Sequence, residues 1–218
     1  MTIPDILEYL DHVETKRKGW GSNFIDTSFE TMPSEYIGFA EDDLDSFLEH
    51  NYINALSNAK RALDCQADRL LKLLGFYKQS QDKFWGFPKK LEKIQSFEII
   101  APRVLNKINK ARNLMEHQYV KPKNDEVEDF LDIVSLFIAS TDQYTTSFRT
   151  EIHYDNEGDN KFRDYPPLNI TIDQENSKLT AYVGSNMKYP NMVTFEFATN
   201  DISYIEIFKR HLKKIRFM

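Results

Sequence analysis

The chain has 218 residues, of which 41% are hydrophobic and 13% are aromatic, which is enough for one large or two small globular domains and excludes a disordered chain. A net charge of −6 argues against a generic nucleic-acid coat protein, and the single cysteine excludes both a disulfide framework and a cysteine zinc cluster. No apolar run reaches membrane-spanning length and the first residues lack a secretory signal pattern, so we expect a cytoplasmic protein that does not enter a membrane.

The first forty residues carry weak signals. A short helix is predicted for "IPDILEYLDHV", and a loop packed by its aromatic residues is predicted from "GWGSNF" through "MPSEYIGF". We treat residues 1–41 as an N-terminal extension.

Residues 42–147 have helical periodicity throughout. Apolar residues repeat every seven positions from Leu56 to Tyr77, which predicts one long helix over about 42–77. A short helix begins at Pro88, a third helix follows Pro102 and carries Ile108 on its inner face, and a fourth spans about 125–146. Helices joined by modest loops predict an antiparallel bundle.

Beyond residue 147 the spacing of apolar residues changes from the helical period to a period of two residues. Alternating apolar residues predict strands in "SFRTEIHYD" and "MVTFEFAT", and "LNITIDQENSKLTAYVG" reads as two strands joined at 175–177. The last segment returns to helical spacing, with Ile205, Phe208, Leu212 and Ile215 on one stripe. Residues 148–218 should therefore form a small antiparallel sheet with a C-terminal helix, which makes the chain α+β.

Basic residues cluster in two places despite the acidic total. Between residues 103 and 123 one glutamate accompanies Arg103, Lys107, Lys110, Arg112, Lys121 and Lys123. The second cluster comprises Lys209, Arg210, Lys213, Lys214 and Arg216. Each cluster has two interpretations: a cleft for an anionic substrate, or cations near helix ends that complement the macrodipole.

The stretch "ARNLMEHQYV" places four chemically distinctive residues, Arg112, Asn113, His117 and Tyr119, late in the predicted third helix. Asn113 and His117 share a helical face, whereas Arg112 and His117 are about 140 degrees apart on an ideal helix. A bend near His117, or the same helix of a second subunit, would bring both onto one phosphate. Alternatively, Arg112 pairs with Glu116 at the surface and His117 is a helix C-terminal cation.

Residues 42–147 resemble a HEPN domain (higher eukaryotes and prokaryotes nucleotide-binding), a helical bundle that is usually dimeric. "RNLMEH" fits the arginine–polar–histidine signature of that family, and the following "QY" completes an R-x4-H-x-Y pattern similar to that of HEPN toxins paired with nucleotidyltransferase antitoxins. The resemblance covers about half of the chain.

The resemblance implies metal-independent cleavage of RNA without a cofactor, in a bacterial toxin, defence or stress system. Arg112, His117 and Asn113 would be catalytic, and Tyr119, Lys110, Lys121 and Lys123 would bind substrate. The expected partners are RNA, a second copy of the chain and a nucleotidyltransferase-type antitoxin, which in such systems can adenylylate the tyrosine.

Other chemistry has little support in the sequence. The five histidines are scattered without metal-ligand spacing, and the seven glycines form no phosphate-binding loop. Trp20 and Trp85 lie in aromatic segments and are expected to be packing residues. The alternative to a ribonuclease is a non-catalytic HEPN-like module that binds a nucleotide, RNA or a protein, with the C-terminal sheet as its recognition surface.

Overall fold

The structure is a computed structural model, which describes residues 1–216 except 13, 101–102, 104–107, 109–121, 157 and 185–191. The chain divides into two compact units. Residues 1–25 and 147–218 form one, here called the sheet unit, and residues 26–146 form the other, the helical unit. The fold is mixed α+β, as predicted.

Twelve elements lie in the described residues. In chain order they are α1 (Ile3–Asp11), β1 (Thr15–Trp20), α2 (Pro33–Asp45), α3 (Asn51–Leu73), α4 (Tyr77–Asp82), α5 (Phe87–Gln95), α6 (Asn124–Thr146), β2 (Glu151–Asn156), β3 (Leu168–Asp173), β4 (Lys178–Val183), β5 (Val193–Ala198) and α7 (Ile202–Arg216).

Helix α3 is the centre of the helical unit and packs against α2, α4, α5 and α6. Its seven-residue apolar repeat is buried as predicted, at Leu56, Leu63 and Leu70. The prediction of one continuous helix over 42–77 is wrong, because a turn at residues 46–50 separates helix α2 from helix α3. The Asn51 side chain donates to the Ser46 carbonyl oxygen at 3.0 Å and closes this turn.

The C-terminal end of α3 is set by Gly75, which has a φ of 75°. Glycine adopts this left-handed conformation without steric strain, and the conformation ends a helix. Tyr77 therefore begins the separate helix α4 and does not continue the apolar stripe of α3.

The other helical predictions are confirmed where the structure describes them. Helix α5 has Pro88 in its first turn, and α6 buries Val127, Phe130, Val134 and Phe137. Most of the predicted third helix lies outside the described residues. Arg103 and Ile108 are described, both helical; Arg103 is exposed and Ile108 is fully buried, as expected for the inner face.

The sheet unit contains one antiparallel sheet of five strands in the order β1-β2-β3-β4-β5. The four predicted C-terminal strands are confirmed, including the turn between β3 and β4, where Ser177 has a φ of 52°. One face of the sheet is apolar and buried, because side chains alternate along each strand; it includes Ile152, Ile170, Ile172, Leu179 and Phe197.

Strand β1 was not predicted. Residues 15–20 pair antiparallel with β2, with a bulge between Arg17 and Gly19, and form one edge of the sheet. The predicted 1–41 extension is thus distributed between units: residues 1–25 give α1 and β1 to the sheet unit, and the rest belongs to the helical unit. The loop predicted over residues 19–39 is wrong in part, because helix α2 begins at Pro33.

Helices α1 and α7 pack against each other in the sheet unit. A capping box starts α1, in which Thr2 and Asp5 satisfy each other's backbone donors. The buried stripe of α7 is rotated from the predicted one: Phe208 and Leu212 are buried as expected, but Ile205 is only half-buried. Tyr204, Ile207 and His211 complete the buried face.

Candidate functional site

Most of the predicted catalytic site lies outside the described residues. This applies to Arg112, Asn113 and His117, and to the predicted substrate contacts Lys110, Tyr119 and Lys121.

Lys123 is the one predicted site residue that the structure describes. Its side chain is exposed just before α6, and its backbone N–H donates to Glu126 Oε2 at 3.2 Å. The Lys123 carbonyl oxygen accepts the first backbone hydrogen bond of α6, from Val127, at 3.2 Å. The backbone of Lys123 therefore begins the helix, while its side chain is accessible to an anion.

A buried polar cluster joins α3 to α6 in the helical unit. The Arg69 guanidinium, 3% exposed, donates through Nη1 to Gln66 Oε1 and to Asp142 Oδ1, each at 3.0 Å. Gln66 Nε2 donates to Thr141 Oγ1 at 2.8 Å, and that hydroxyl donates to the Phe137 carbonyl oxygen at 2.7 Å. These four side chains fix one helix against the other, because each buried donor needs its partner.

A cavity of about 450 Å³ lies beside this cluster. It is lined by Met32, Ser34, Ile37, Arg69, Ser135, Ile138, Ala139, Asp142 and Thr146. Arg69 Nε is buried without a hydrogen-bond partner among the described residues. The guanidinium and the Asp142 carboxylate are paired, so the polar part of this cavity has no net charge for an ionic ligand.

A second cavity, of about 400 Å³, is lined by Phe29, Glu30, Thr31, Tyr36, Arg61, Asp64, Cys65 and Asp68. Burial raises the pKa of Asp68, an effect that the Lys90 ammonium group opposes through contacts of 2.7 and 2.8 Å with the carboxylate oxygens. Burial also raises the pKa of Cys65 to about 11, so the thiol stays protonated and is a poor nucleophile at neutral pH.

A histidine and a tyrosine form a buried pair in the sheet unit. Tyr154 Oη lies 2.5 Å from His211 Nδ1, and His211 Nε2 has no partner among the described residues. The rings of Phe148, Tyr154 and Phe208 surround the imidazole. Burial lowers the pKa of His211 to about 3, with a smaller contribution from the positive charge of Arg17. This histidine is neutral at physiological pH, so it serves as core structure and not as an acid–base catalyst.

Three of the five cations in the basic cluster predicted for the last helix contact other groups within the sheet unit. Arg210 contacts Asp11 and Glu206, Lys209 contacts Glu206, and Lys214 donates to the carbonyl oxygens of His12 and Thr15. Arg210 and Lys214 therefore attach α7 to α1 and to the start of β1, whereas Lys209 pairs within α7.

The two tryptophans differ from each other. Trp85 stacks on Phe76 with ring centroids 6.5 Å apart, as expected for a packing residue. Trp20 is 52% exposed at the end of β1, so the expectation that it packs into the interior is wrong. An edge strand has a neighbouring strand on one side only, so its side chains are less covered than those of a central strand. Because β1 was not predicted as a strand, the exposure of Trp20 was not expected.

Two sites went unnoticed in the sequence. Arg69 stands in the apolar run "DRLLKLL", and a charged residue on the buried stripe of a helix is the signal that identifies it. The Tyr154–His211 pair joins residues 57 positions apart and has no local signal.

Searches for other classes of site and for relatives add no functional assignment. Among the described residues, no group of three or more histidine, cysteine, aspartate or glutamate side chains is placed to hold a metal ion. None of the described helices is both long and apolar enough to cross a membrane. Comparison of the chain with protein-family models, curated proteins and solved structures finds no match.

Proposed function

We propose that this protein is a metal-independent endoribonuclease of the HEPN type that acts as a cytoplasmic homodimer in a toxin, defence or stress system. The observation that carries the proposal is the R-N-x-x-x-H-x-Y sequence from Arg112 to Tyr119. Its position in the chain supports this reading, because it falls between α5 and α6 in a unit built from helices.

The proposed reaction needs only groups that this segment contains. The 2′-hydroxyl of RNA attacks the adjacent phosphorus, the bond from phosphorus to the 5′-oxygen breaks, and the products are a 2′,3′-cyclic phosphate and a 5′-hydroxyl. His117 moves the proton between the two oxygens, which is worth about 10²–10⁴ in rate. Arg112 holds the non-bridging oxygens, and losing one such donor costs about 2.7–4 kcal/mol.

The remaining residues bind and orient the substrate. The four-residue spacing of Asn113 and His117 would place them on one face of a helix, where Asn113 would orient the imidazole or the scissile phosphate. Tyr119 would bond a phosphate oxygen or stack on a base. Lys110, Lys121 and Lys123 would attract the RNA backbone, and the exposed side chain of Lys123 is suited to that role.

Cleavage of bulk RNA in EDTA tests the catalytic proposal. The wild-type protein should cleave RNA and leave 2′,3′-cyclic phosphate ends, whereas Arg112→Ala and His117→Ala should each lose at least about 100-fold in rate. Arg61→Ala and His50→Ala are matched controls, because both remove an exposed residue of the same type from the helical unit. Equal cleavage by all five proteins, or cleavage that needs a metal, would refute the proposal.

A mixing experiment tests whether the site is shared between subunits. Arg112→Ala and His117→Ala proteins are inactive alone, but heterodimers of the two contain one intact site if each chain supplies half. An equimolar mixture that exchanges subunits should then recover roughly a quarter of wild-type activity. A mixture that stays inactive would place Arg112 and His117 of each site on one chain.

The proposed antitoxin partnership has a separate readout. Coexpression with a nucleotidyltransferase-type antitoxin should add adenylyl groups to wild-type protein and not to Tyr119→Phe, as judged by intact mass. An unchanged mass in the wild-type protein would remove the antitoxin from the proposal without affecting the cleavage chemistry.

A further inference from the structure

The guanidinium group of Arg69 has fewer hydrogen bonds than its burial calls for. Its side chain is 4% exposed, and its hydrogen bonds to Gln66 and Asp142 are both made by Nη1. Nε is buried without a partner among the described residues. A buried donor without a partner has lost its hydration and gained nothing in return, so its presence in a folded chain calls for an explanation.

The nitrogens that Gln66 and Asp142 do not contact lie on one edge of the guanidinium group. Nε and Nη2 direct two N–H bonds side by side in the plane of the group, which is the fork geometry that suits two adjacent acceptors. Arg69 also lines the cavity of about 450 Å³, and of the described residues around that cavity it alone is buried. Because Nη1 is bonded to both α3 and α6, the fork is fixed at the inner end of the cavity.

The Asp142 carboxylate places an acceptor next to this fork. Its hydrogen bonds from Arg69 Nη1 and from Thr145 Oγ1 both end on Oδ1, at 3.0 and 3.4 Å. The side chain is 46% exposed and lines the same cavity, so Oδ2 is left for a donor from a ligand. The cavity therefore presents two donors and one acceptor side by side.

Apolar side chains line the cavity between its two helices. Helices α2 and α6 both pack against α3, and the cavity lies between them with Arg69 of α3 at its inner end. Met32 and Ile37 contribute from the side of α2, and Ile138 and Ala139 contribute from α6. An apolar cavity of this size with a few polar groups that fix orientation is the usual form of a small-molecule site.

The charge of the site favours a neutral ligand. Arg69 and Asp142 compensate each other, so a carboxylate or phosphate inside the cavity would have no counter-charge. A neutral ligand fits if it offers two adjacent acceptors to the fork and a donor to the carboxylate beside them. Guanine has this pattern, because N7 and O6 are adjacent acceptors and the N1–H donor follows O6 around the ring. Adenine has a donor in place of O6, and cytosine and uracil have no N7.

We propose that the cavity between α2 and α6 binds a guanine base, with N7 and O6 on the Arg69 fork and N1–H on Asp142 Oδ2. The sugar is attached at N9, on the far side of the base, and would lie towards the exposed Ser34 and Thr146 at the rim. An unpaired guanosine in RNA and a free guanine nucleotide share this chemistry, and the choice of RNA rests on the proposed function. In RNA, the cavity would make substrate binding depend on an unpaired guanosine.

Equilibrium dialysis of nucleosides against the full chain measures the binding of the base without a phosphate charge. Guanosine should bind about 5- to 150-fold more tightly than adenosine, cytidine or uridine, which is the discrimination of one bidentate arginine contact. 7-Deazaguanosine lacks the N7 acceptor and 1-methylguanosine lacks the N1–H donor, so each should bind about 10-fold or more weakly than guanosine. A cavity that holds only water would make no distinction among these nucleosides.

Two variants test the cavity itself. Arg69→Lys keeps the positive charge opposite Asp142 but removes the fork, and Ala139→Phe fills the cavity from an exposed position on α6. Each should weaken guanosine binding by about 10-fold or more, and Ala139→Phe decides the matter if Arg69→Lys does not fold. Arg61→Lys on α3 and Ser140→Phe on α6 are matched controls, because they make the same changes at exposed positions outside this cavity and should bind as the parent does.

RNA binding separates the two sources of the base. The probe is a short fluorescent oligo(U), with or without one central guanosine, measured by anisotropy in EDTA in the His117→Ala background so that cleavage does not interfere. Tighter binding of the strand that contains guanosine, abolished by Ala139→Phe, assigns the cavity to RNA. Guanosine binding without this preference among RNA strands assigns the same cavity to a free guanine nucleotide.

The outcomes distinguish this inference from the proposed function. Guanosine binding with the expected discrimination supports the inference even if the wild-type protein cleaves no RNA, in which case the ribonuclease proposal fails alone. Cleavage by the wild-type protein, with equal binding of all nucleosides or binding of none, overturns the inference and leaves the ribonuclease intact. Unchanged guanosine binding in Ala139→Phe, or an equal loss in Ser140→Phe, also overturns it.

Discussion

The buried histidine of the sheet unit should make that unit sensitive to mild acid. His211 is fully buried, and its Nδ1 lies 2.5 Å from the Tyr154 hydroxyl oxygen. Protonation would place a charge among aromatic rings, close enough to feel the positive Arg17. The pKa of His211 is therefore lowered to about 3 in the folded protein, against 6.5 in the unfolded chain.

The sign and the size of the effect follow from proton linkage. Between pH 6.5 and pH 3 the unfolded chain binds a proton at His211 that the folded protein does not, so stability is full above pH 6.5 and falls with decreasing pH. Each pH unit is worth about 1.4 kcal/mol, so the contribution of His211 amounts to roughly 2 to 3 kcal/mol between pH 7 and pH 4.5.

Urea unfolding at several pH values measures this contribution. A Trp85→Phe background leaves Trp20 as the fluorescent reporter of the sheet unit. The comparison is between this parent and the double variant His211→Phe/Tyr154→Phe. The double variant removes the titrating imidazole together with the hydroxyl group that is hydrogen-bonded to it. The double variant should lose roughly 2 to 3 kcal/mol less stability than the parent between pH 7 and pH 4.5.

A control variant isolates burial as the cause. His153 is a partly exposed histidine in the same unit, so His153→Gln should keep the pH dependence of the parent. Contributions from carboxylates are common to all three proteins and cancel in the comparison. Equal pH slopes in the parent and the double variant would refute the reasoning, as would a proton titration of His211 near pH 6.5 in the folded protein.

Three further predictions concern the remaining buried and strained positions. Arg69→Ala should destabilise the helical unit by about 3 kcal/mol, because it leaves Gln66 and Asp142 without their shared donor. Asp142→Asn should also destabilise it, by about 1–3 kcal/mol, because the buried Arg69 guanidinium loses its counter-charge even though an amide oxygen could still accept its hydrogen bond. Chemical denaturation monitored through Trp85 measures both costs, and unchanged stability in either variant would contradict the burial argument. Ser177→Gly should raise the thermal stability of the sheet unit by up to about 1 kcal/mol, since Ser177 has a φ of 52°, and a lower melting temperature would show that this turn is not strained. Iodoacetamide should modify Cys65 at pH 7.5 about 100-fold more slowly than the same thiol in urea, because its pKa is raised to about 11, and comparable rates would show that the thiol is accessible and ionises normally.

Elements were predicted well where the signal is local. The alternation in β3, β4 and β5 and the apolar stripes of α3 and α6 depend on neighbours within one or two turns. Apart from the start of α3, the bounds of these elements agree with the structure within a few residues. The failures also have local causes. The turn between Asp45 and Asn51 contains no glycine or proline, so the predicted helix was extended through it.

Strand β1 could not be predicted, because it depends on pairing with a distant segment of the chain. Strand β1 has the composition "TKRKGW", with one apolar residue in six, so it lacks the alternation that identifies a half-buried strand. It is a strand because β2, more than a hundred residues later, offers it a free edge. Trp20 and Phe24 were consequently assigned to a packed loop, and their exposure beside Arg17 and Arg149 was not foreseen.

The sequence by itself determined the mixed α+β class, the positions of most helices and strands, and the R-N-x-x-x-H-x-Y segment on which the ribonuclease proposal depends. Tertiary structure alone decided that residues 1–25 join residues 147–218, and that buried Arg69 and His211 find their partners on other elements. The physical reason is the same in each case. Periodicity is written into neighbouring residues, whereas hydrogen-bond partners and the environments that shift a pKa arise only when distant segments pack together.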